Sequence, residues 1–426
     1  MSTTIDKTEK KRLFSNFFSL LTFQGTNYLL PLITFPYLVQ VLGVEYFGLL
    51  AFATAVIAYF SIIVDYGFNL TATREISIHR ENKEKIVEIF SAVMTIKIVL
   101  MIFSFILLSL IVFSFEKLSS NWEVYLITFG TVIGQVLFPI WFFQGMERMK
   151  YISYLNIFAK VLFTISIFVF VKEQSDFYLV PLLTSIGSIV AGICSLVLIY
   201  REFDVKFKWQ SIATLKSYLI DGWHIFVSRI YVNIYTTTNI ILLGLFINNT
   251  AVGYYSIAEK IVVAIGGLFQ PANQTIYPYL ARKYKENFEL FLSFIRKISL
   301  VFLAISFSFV IISEYFKESI VSLVTGSANI EVSLLLTFFL LKILTYPFGS
   351  LFSNSLIIMN RKKEFMKVMN YTVLIDLIIV PPSIYFYQEM GLVISFIIVL
   401  LIHILLLLHY LNRSIKLEGL TDDKTI

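Results

Sequence analysis

A single cysteine, Cys194, stands in the whole 426-residue chain, and it lies inside an apolar run. No disulfide framework and no cysteine-based metal site is therefore available. A lone buried thiol reads as inert packing. The four histidines, His79, His224, His403 and His409, are scattered without metal-ligand spacing. The chain has no Walker A pattern, no G-x-S-x-G, no H-E-x-x-H and no spaced pair of carboxylates in a polar loop. The motifs of nucleotide, ester and peptide chemistry are thus missing, and with them ATP-driven work by this chain alone. Charge is scarce too. Only 15% of residues are Asp, Glu, Lys or Arg, against about 25% in an ordinary globular protein.

What fills the space is apolar. The sequence is 58% hydrophobic, with 42 Phe and 24 Tyr, and its mean hydropathy is +0.80. No soluble core can bury that much apolar surface, so the solvent must be lipid. Apolar runs fall at 14–41, 46–70, 90–113, 123–143, 152–171, 178–200, 219–247, 254–280, 291–313, 331–359, 366–387 and 391–411. Each supplies the roughly 20 residues that a hydrocarbon core of about 30 Å demands. The runs are too long for barrel strands, and lipid satisfies no open backbone groups, so each is expected to be a helix. The expected fold is all-α and polytopic, with about twelve transmembrane helices. The least regular stretch, 314–330, reads as an amphipathic segment at the surface.

Orientation follows from the basic residues. In one set of alternating loops stand 26 of the 34 Lys and Arg residues, among them Lys7, Lys10, Lys11, Arg12, Arg74, Arg148, Arg361 and Lys424. The other set has only Lys117, Lys172 and Lys317. The basic side is cytoplasmic, and regular alternation over an even number of spans puts both termini there. The basic start precedes an apolar stretch too long for a signal-peptide core, so a retained first helix is expected. The net charge of +6 does not indicate nucleic acid, because the basic residues cap apolar runs and form no patch with interleaved aromatics.

The expected organisation is a cytoplasmic segment 1–13, a six-helix bundle 14–200, a cytoplasmic linker 201–217, a second six-helix bundle 218–411 and a cytoplasmic tail 412–426. Two echoes at about half the chain length support a duplication with parallel halves. Phe47-Gly48-Leu49-Leu50-Ala51-Phe52-Ala53 is echoed by Val252-Gly253-Tyr254-Tyr255-Ser256-Ile257-Ala258, and Met146-x-Arg148-x-Lys150 by Met359-x-Arg361-x-Lys363. Outer loops are short, so the working part is the bundle itself.

Charges inside the spans are the candidate functional residues, because each costs about 2.5–3.5 kcal/mol at a helix centre unless it pairs, snorkels or faces a watery cavity. The basic ones are Lys97, Lys160, Arg229, Lys260 and Lys342; the acidic ones are Asp65, Asp221, Glu259 and Asp376. Lys97 and Lys160 lie near enough to the cytoplasmic ends either to snorkel or to face a cavity. Asp221 reads as a cap or rim residue. Arg229, Lys260 and Lys342 lie deeper, where a cavity position is favoured. Lys260 follows Glu259, but adjacent helix positions do not face each other. A cavity holding these cations would attract an anion, with phosphate esters the obvious class. Pro31, Pro36, Pro139, Pro271, Pro278 and Pro347, with Gly266-Gly267 and Gly349, provide helix breakers within the spans.

Four stretches carry a family resemblance. They are Pro36-Tyr37-Leu38 with Val41-Leu42-Gly43-Val44-Glu45-Tyr46-Phe47-Gly48; Asp65-Tyr66-Gly67-Phe68-Asn69 with Ala72-Thr73-Arg74-Glu75-Ile76; Trp141-Phe142-Phe143-Gln144-Gly145-Met146-Glu147-Arg148-Met149-Lys150; and Val252 to Lys260 with Tyr277-Pro278-Tyr279-Leu280. In these the chain resembles Wzx-type O-antigen flippases, polysaccharide exporters of the multidrug/oligosaccharidyl-lipid/polysaccharide superfamily. The resemblance implies a MATE-like fold, two six-helix bundles forming a V around a central cleft. It implies an inner-membrane transporter, not an enzyme, that moves an undecaprenyl-pyrophosphate-linked oligosaccharide from the cytoplasmic to the periplasmic leaflet by alternating access. It puts Arg74, Arg148, Arg229 and Lys260 foremost in a cationic substrate cleft, to which the in-span charges add Lys342 and Lys160, and it makes Asp65 and Glu259 candidates for ion coupling or for orienting the cations. It implies no cofactor beyond a proton or sodium gradient. Its implied partners are the lipid-linked substrate, membrane lipids, and the polymerase and chain-length regulator of the same pathway. Arg74 and Arg148 also fit simple positive-inside anchoring.

Rival readings remain. A MATE-type cation-coupled drug exporter shares the fold but calls for an acid-dominated cavity. A major-facilitator permease carries a longer central loop than 201–217. An O-antigen polymerase or ligase needs a large outer loop with catalytic Arg or His, which this chain lacks. A scaffold for other glycan enzymes is a further reading.

Overall fold

The computed structural model describes the backbone of residues 7–422 and the side chains of residues 33–418, apart from 232, 235, 236 and 274. The side chains of Lys7, Lys10, Lys11, Arg12 and Pro31, and all of Lys424, lie outside the described residues. Every regular element among the described residues is helical. The helices are α1 (Lys7–Asp65), α2 (Phe68–Ile78), α3 (Lys83–Ser114), α4 (Glu116–Ser119), α5 (Trp122–Thr128), α6 (Gly130–Leu137), α7 (Ile140–Gly145), α8 (Met149–Phe170) and α9 (Leu179–Phe203). There follow α10 (Ile212–Phe246), α11 (Asn249–Gly266), α12 (Phe269–Glu286), α13 (Phe288–Tyr315), α14 (Lys317–Thr325), α15 (Ile330–Ile358) and α16 (Lys362–Asp422).

Among the described residues eight helical stretches are long and apolar enough to cross a membrane, or nine if the bent pair α11 and α12 forms one span. Two long helices have length for more than one crossing. The 59 residues of α1 and the 61 of α16 would each run for about 90 Å if straight, three times the hydrocarbon core. Both are broken where the sequence predicts short outer turns. The break in α1 is at Gly43, whose φ of 75° and ψ of 170° belong to a region essentially reserved for glycine. The break in α16 is at Gln388, with φ 53° and ψ −137°. The lengths of α1, α16 and the 35-residue α10 leave room for further crossings toward the expected twelve.

Three expected spans differ in detail. The fourth, 123–143, is not one helix but the succession α5, α6 and α7, with Pro139 as the N-cap of α7. Proline has no backbone donor for a continuing helix, so the ladder restarts there. The eighth, 254–280, is broken between Gly266 and Phe269, with a bend of 41°. Pro278 and Pro347, by contrast, lie inside α12 and α15 without ending them. The irregular 314–330 stretch contains α14, which buries Val321 and Val324 and ends at Gly326 in the left-handed region at φ 77°.

The chain forms two compact units. One is Tyr37–Gly253; the other joins Met1–Pro36 to Tyr254–Ile426. These boundaries differ from the 14–200 and 218–411 bundles expected from charge alternation. The physical reason is α10, which packs on the helices before the 201–217 connection. A Cβ at Gly222 would lie 2.9 Å from the Tyr66 ring, and Tyr66 stacks on Phe226 with centroids 4.7 Å apart. Gly244 likewise lies hard against the ring of Phe52.

Within the Tyr37–Gly253 unit, α6 and α9 make the tightest pair through small residues, the usual device for close approach in lipid. A Cβ at Gly130 would lie 2.6 Å from that of Ser185, and one at Gly134 would lie 2.6 Å from the backbone carbon of Ser188. Ser185 Oγ donates to the Ile127 carbonyl at 2.7 Å, and Ser195 Oγ to that of Leu137 at 3.0 Å. The two glycines that the half-length echo pairs also meet: a Cβ at Gly48 would lie 2.6 Å from the amide nitrogen of Gly253. In the other unit α15 is the central helix, packed on α12, α13, α14 and α16.

Candidate functional site

The family-like stretches at 65–76 and 141–150 pack against each other, as α2 on α7. Trp141, Phe142 and Phe143 are wholly buried in an aromatic cluster with Phe90, Tyr151 and Phe203. Gly145 admits Ile76, whose Cβ would stand 2.6 Å from an added methyl. Thr73 Oγ1 donates to the Trp141 carbonyl at 3.2 Å, and Arg80 grips Glu147 at 2.7 Å. Much of this pattern is therefore scaffold holding the basic end of the unit together.

Arg74 and Arg148 sit on that scaffold. Arg74, with a 57% exposed side chain, bonds Glu75 at 2.9 Å and Asp221 at 3.1 Å. Asp221 is thus a tie from α10 to α2. Arg148 is the exposed N-cap of α8. On the same surface Lys83 pairs with Asp204, and this ion pair holds the Asp204 carboxyl below the usual range.

Four of the in-span charges resolve into two pairs. Lys97, which the sequence left between snorkelling and a cavity, does neither. It is 1% exposed and faces Asp65, at 3.8 Å. The charge of Arg229 also acts on Asp65, while the Arg229 residue itself is exposed. Asp65 ends α1 and is followed by Tyr66 and Gly67, both at positive φ, so a sharp turn aims the carboxylate inward. Lys160 lines a cavity of about 330 Å³ with Gln135, Asn156, Thr184 and Ser188.

In the other unit Glu259 meets Lys342 of α15 at 3.2 Å. The Lys342 ammonium also lies 4.8 Å from the Phe396 ring centroid and 5.8 Å from those of Phe339 and Tyr346. Lys260, the next residue along α11, turns to another face, 5.6 Å from the Phe35 ring centroid. Asp376 is buried, at 2% exposure. Of the six expected cleft cations, Arg74, Arg148, Lys160 and Arg229 belong to one unit, and Lys260 and Lys342 to the other. The two expected coupling acids, Asp65 and Glu259, each face a lysine from another helix of their own unit.

A second cavity, of about 730 Å³, opens at the α11–α12 break in the unit that carries Glu259 and Lys342. Gln270, Asn273, Tyr277, Tyr346, Ser350 and Asn354 contribute polar groups to it. Sequence reading singled out Gly266-Gly267 only as a breaker and missed these uncharged residues, because isolated amides in apolar runs have no spacing rule that marks them.

These features define a multi-pass helical membrane transport protein. Residues 13–284 match the family described as "Polysaccharide biosynthesis protein". The chain is 32% identical over 392 residues to a protein of Escherichia coli (strain K12) named "Putative O-antigen transporter", covering 90% of this chain and 93% of that one. A protein of the same name from Shigella dysenteriae is 29% identical over 270 residues, 63% of this chain and 67% of the relative. An inward-facing multidrug resistance MATE family transporter of the MOP superfamily superposes with a TM-score of 0.72 at 15% identity, covering 91% of this chain and 96% of that one. The lipid II flippase MurJ, in an inward closed conformation, gives 0.71 at 15% identity, covering 93% and 89%. The chain belongs to the polysaccharide biosynthesis protein family, and its fold is the one these transporters share.

Proposed function

We propose that the protein is a flippase for a lipid-linked oligosaccharide, moving an undecaprenyl-pyrophosphate-linked repeat unit of O-antigen or a related surface polysaccharide to the periplasmic leaflet by alternating access. The observation that carries this reading is the 32% identity along 90% of the chain to a protein named as an O-antigen transporter. The chemistry of the chain supports it. Arg229 and Lys260 are exposed cations within apolar helices, a costly arrangement that an anionic pyrophosphate would repay. Arg74, Arg148, Lys160 and Lys342 join them as substrate-binding candidates. Asp65 and Glu259 are the candidates for coupling transport to a proton or sodium gradient, since each faces a lysine whose charge its own protonation would leave uncompensated. The polymerase and chain-length regulator of the same pathway are the proposed partners.

Deletion of the gene with plasmid rescue tests the reading. Lipid-linked repeat units are expected to accumulate on the cytoplasmic face without the gene and to clear on rescue. Unchanged repeat-unit export in the deleted strain would overturn it.

A further inference from the structure

The cavity at the α11–α12 break is lined by uncharged polar side chains. Amides from both helices that bound it converge there: Gln270 and Asn273 from α12, Asn354 from α15. Hydroxyls come from Tyr277, Tyr346 and Ser350. No Lys, Arg, Asp or Glu lines it among the described residues. Its volume of about 730 Å³ falls within the range of about 300–1,000 Å³ typical of small-molecule sites.

Local structure explains how the chain opens this space. The helix ladder stops at Gly266 and restarts at Phe269 after a 41° bend. Gly266 lets the Tyr346 ring lie against the end of α11, since a Cβ there would stand 2.6 Å from that ring. On α15, Asn354 Nδ2 donates to Ser350 Oγ at 3.4 Å. Asn273 Oδ1 is buried and has no hydrogen-bond partner among the described residues. An unmet buried acceptor costs about 1–3 kcal/mol, and beside an open cavity a donor from a ligand is its natural complement.

The chemistry selects the ligand. A purely apolar molecule would leave Asn273 Oδ1 unmet. A phosphate wants donors with positive charge, and the lining has none. A sugar ring carries hydroxyls that donate and accept at once, which suits amide side chains able to do both, and its C–H faces suit the rings of Tyr277 and Tyr346. We propose that this cavity is a subsite for uncharged sugar residues of the transported glycan, bordered by the Lys342 ammonium, which lies 5.8 Å from the Tyr346 ring centroid. This inference rests on the flippase reading and adds where the glycan is held.

The test compares two probes on the purified full-length protein in lipid nanodiscs: undecaprenyl pyrophosphate without sugar, and the lipid-linked oligosaccharide extracted from cells lacking the gene. Wild type is expected to bind the glycosylated probe more tightly. Asn273→Leu and, as a smaller change, Ser350→Ala are expected to weaken the glycosylated probe by about three- to tenfold, the size of one or two neutral hydrogen bonds. Both are expected to leave the sugarless probe unchanged, which also reports correct folding. Equal wild-type affinity for the two probes, or an unchanged preference for the glycosylated probe in both variants, would overturn the subsite while leaving the flippase reading standing. Failure of wild type to bind either probe would overturn both.

Discussion

Replacing Asp65 and Lys97 singly and together is the most direct probe of how this bundle tolerates charge. The two groups are 3.8 Å apart, with side chains only 8% and 1% exposed. At an effective dielectric constant of about 20, charges at that separation attract by about 4 kcal/mol. Removing one partner leaves the other buried and uncompensated, at a cost of about 3–5 kcal/mol. The two single variants are not equivalent. Lys97→Met leaves Asp65 with the field of Arg229, whereas Asp65→Leu leaves a lysine ammonium in apolar surroundings with no acid facing it from α1. Asp65→Leu is therefore expected to cost more. The pair itself is poorly solvated, because Asp65 Oδ1 makes no hydrogen bond. The double variant is accordingly expected to lie within about 1 kcal/mol of wild type, or to exceed it, as apolar replacements of buried pairs often do. Equilibrium unfolding in mixed micelles, read as a double-mutant cycle, gives the coupling energy directly. A coupling near zero, or a double variant destabilised by the sum of the singles, would refute the pairing. Complementation by the stable double variant then separates structure from ion coupling: loss of transport with retained stability assigns Asp65 a working role.

Arg229→Ala and Lys260→Ala should each lower repeat-unit export at least about tenfold, the loss expected for one charge-assisted contact to phosphate; full export by both variants, inserted at normal levels, would remove the cationic path. Gly134→Leu should disrupt α6–α9 packing, lowering thermal stability by about 1–3 kcal/mol or more as overpacked sites do, while Gly187→Ala, which meets its nearest neighbour only at 3.7 Å, should be tolerated; equal melting temperatures for all three proteins would contradict this packing. The Arg80–Glu147 pair sets a pH dependence. Hydrogen bonding to Arg80 holds the Glu147 carboxyl below the ordinary glutamate range, so its contribution is complete above that range and fades as pH falls through the depressed value. Hydrogen exchange around 146–150 should thus show less protection at acidic pH in wild type than at neutral pH, beyond the intrinsic rate change. Arg80→Ala should lose that dependence.

Some of this protein is legible along the chain. Apolar runs report on lipid and water, which act on each segment locally, so the long helices and the breaks at Gly43 and Gln388 follow from them. Pro139 and Gly266-Gly267 marked real breaks, but Pro347 marked none, because neighbouring helices decide whether a freed carbonyl is tolerated. The sequence also singled out the buried charges, since their insertion cost is a property of the residue. Which charges meet is a different matter. Glu259 bonds Lys342, 83 positions away, while adjacent Lys260 lies 5.6 Å from the Phe35 ring centroid. Lys97 turns to Asp65 and not to the surface. Those outcomes depend on which helix faces come together, and no local signal encodes that. The grouping of α10 with the Tyr37–Gly253 unit has the same origin: small residues at Gly222 and Gly244 permit a close approach that only packing reveals. The amide-lined cavity is the extreme case, since its residues become a site only when a broken helix and α15 are folded against each other. Composition and charge thus determined the solvent and the helices, and four local stretches the family likeness, while tertiary packing alone decided which buried charges meet and the cavity proposed for the sugar.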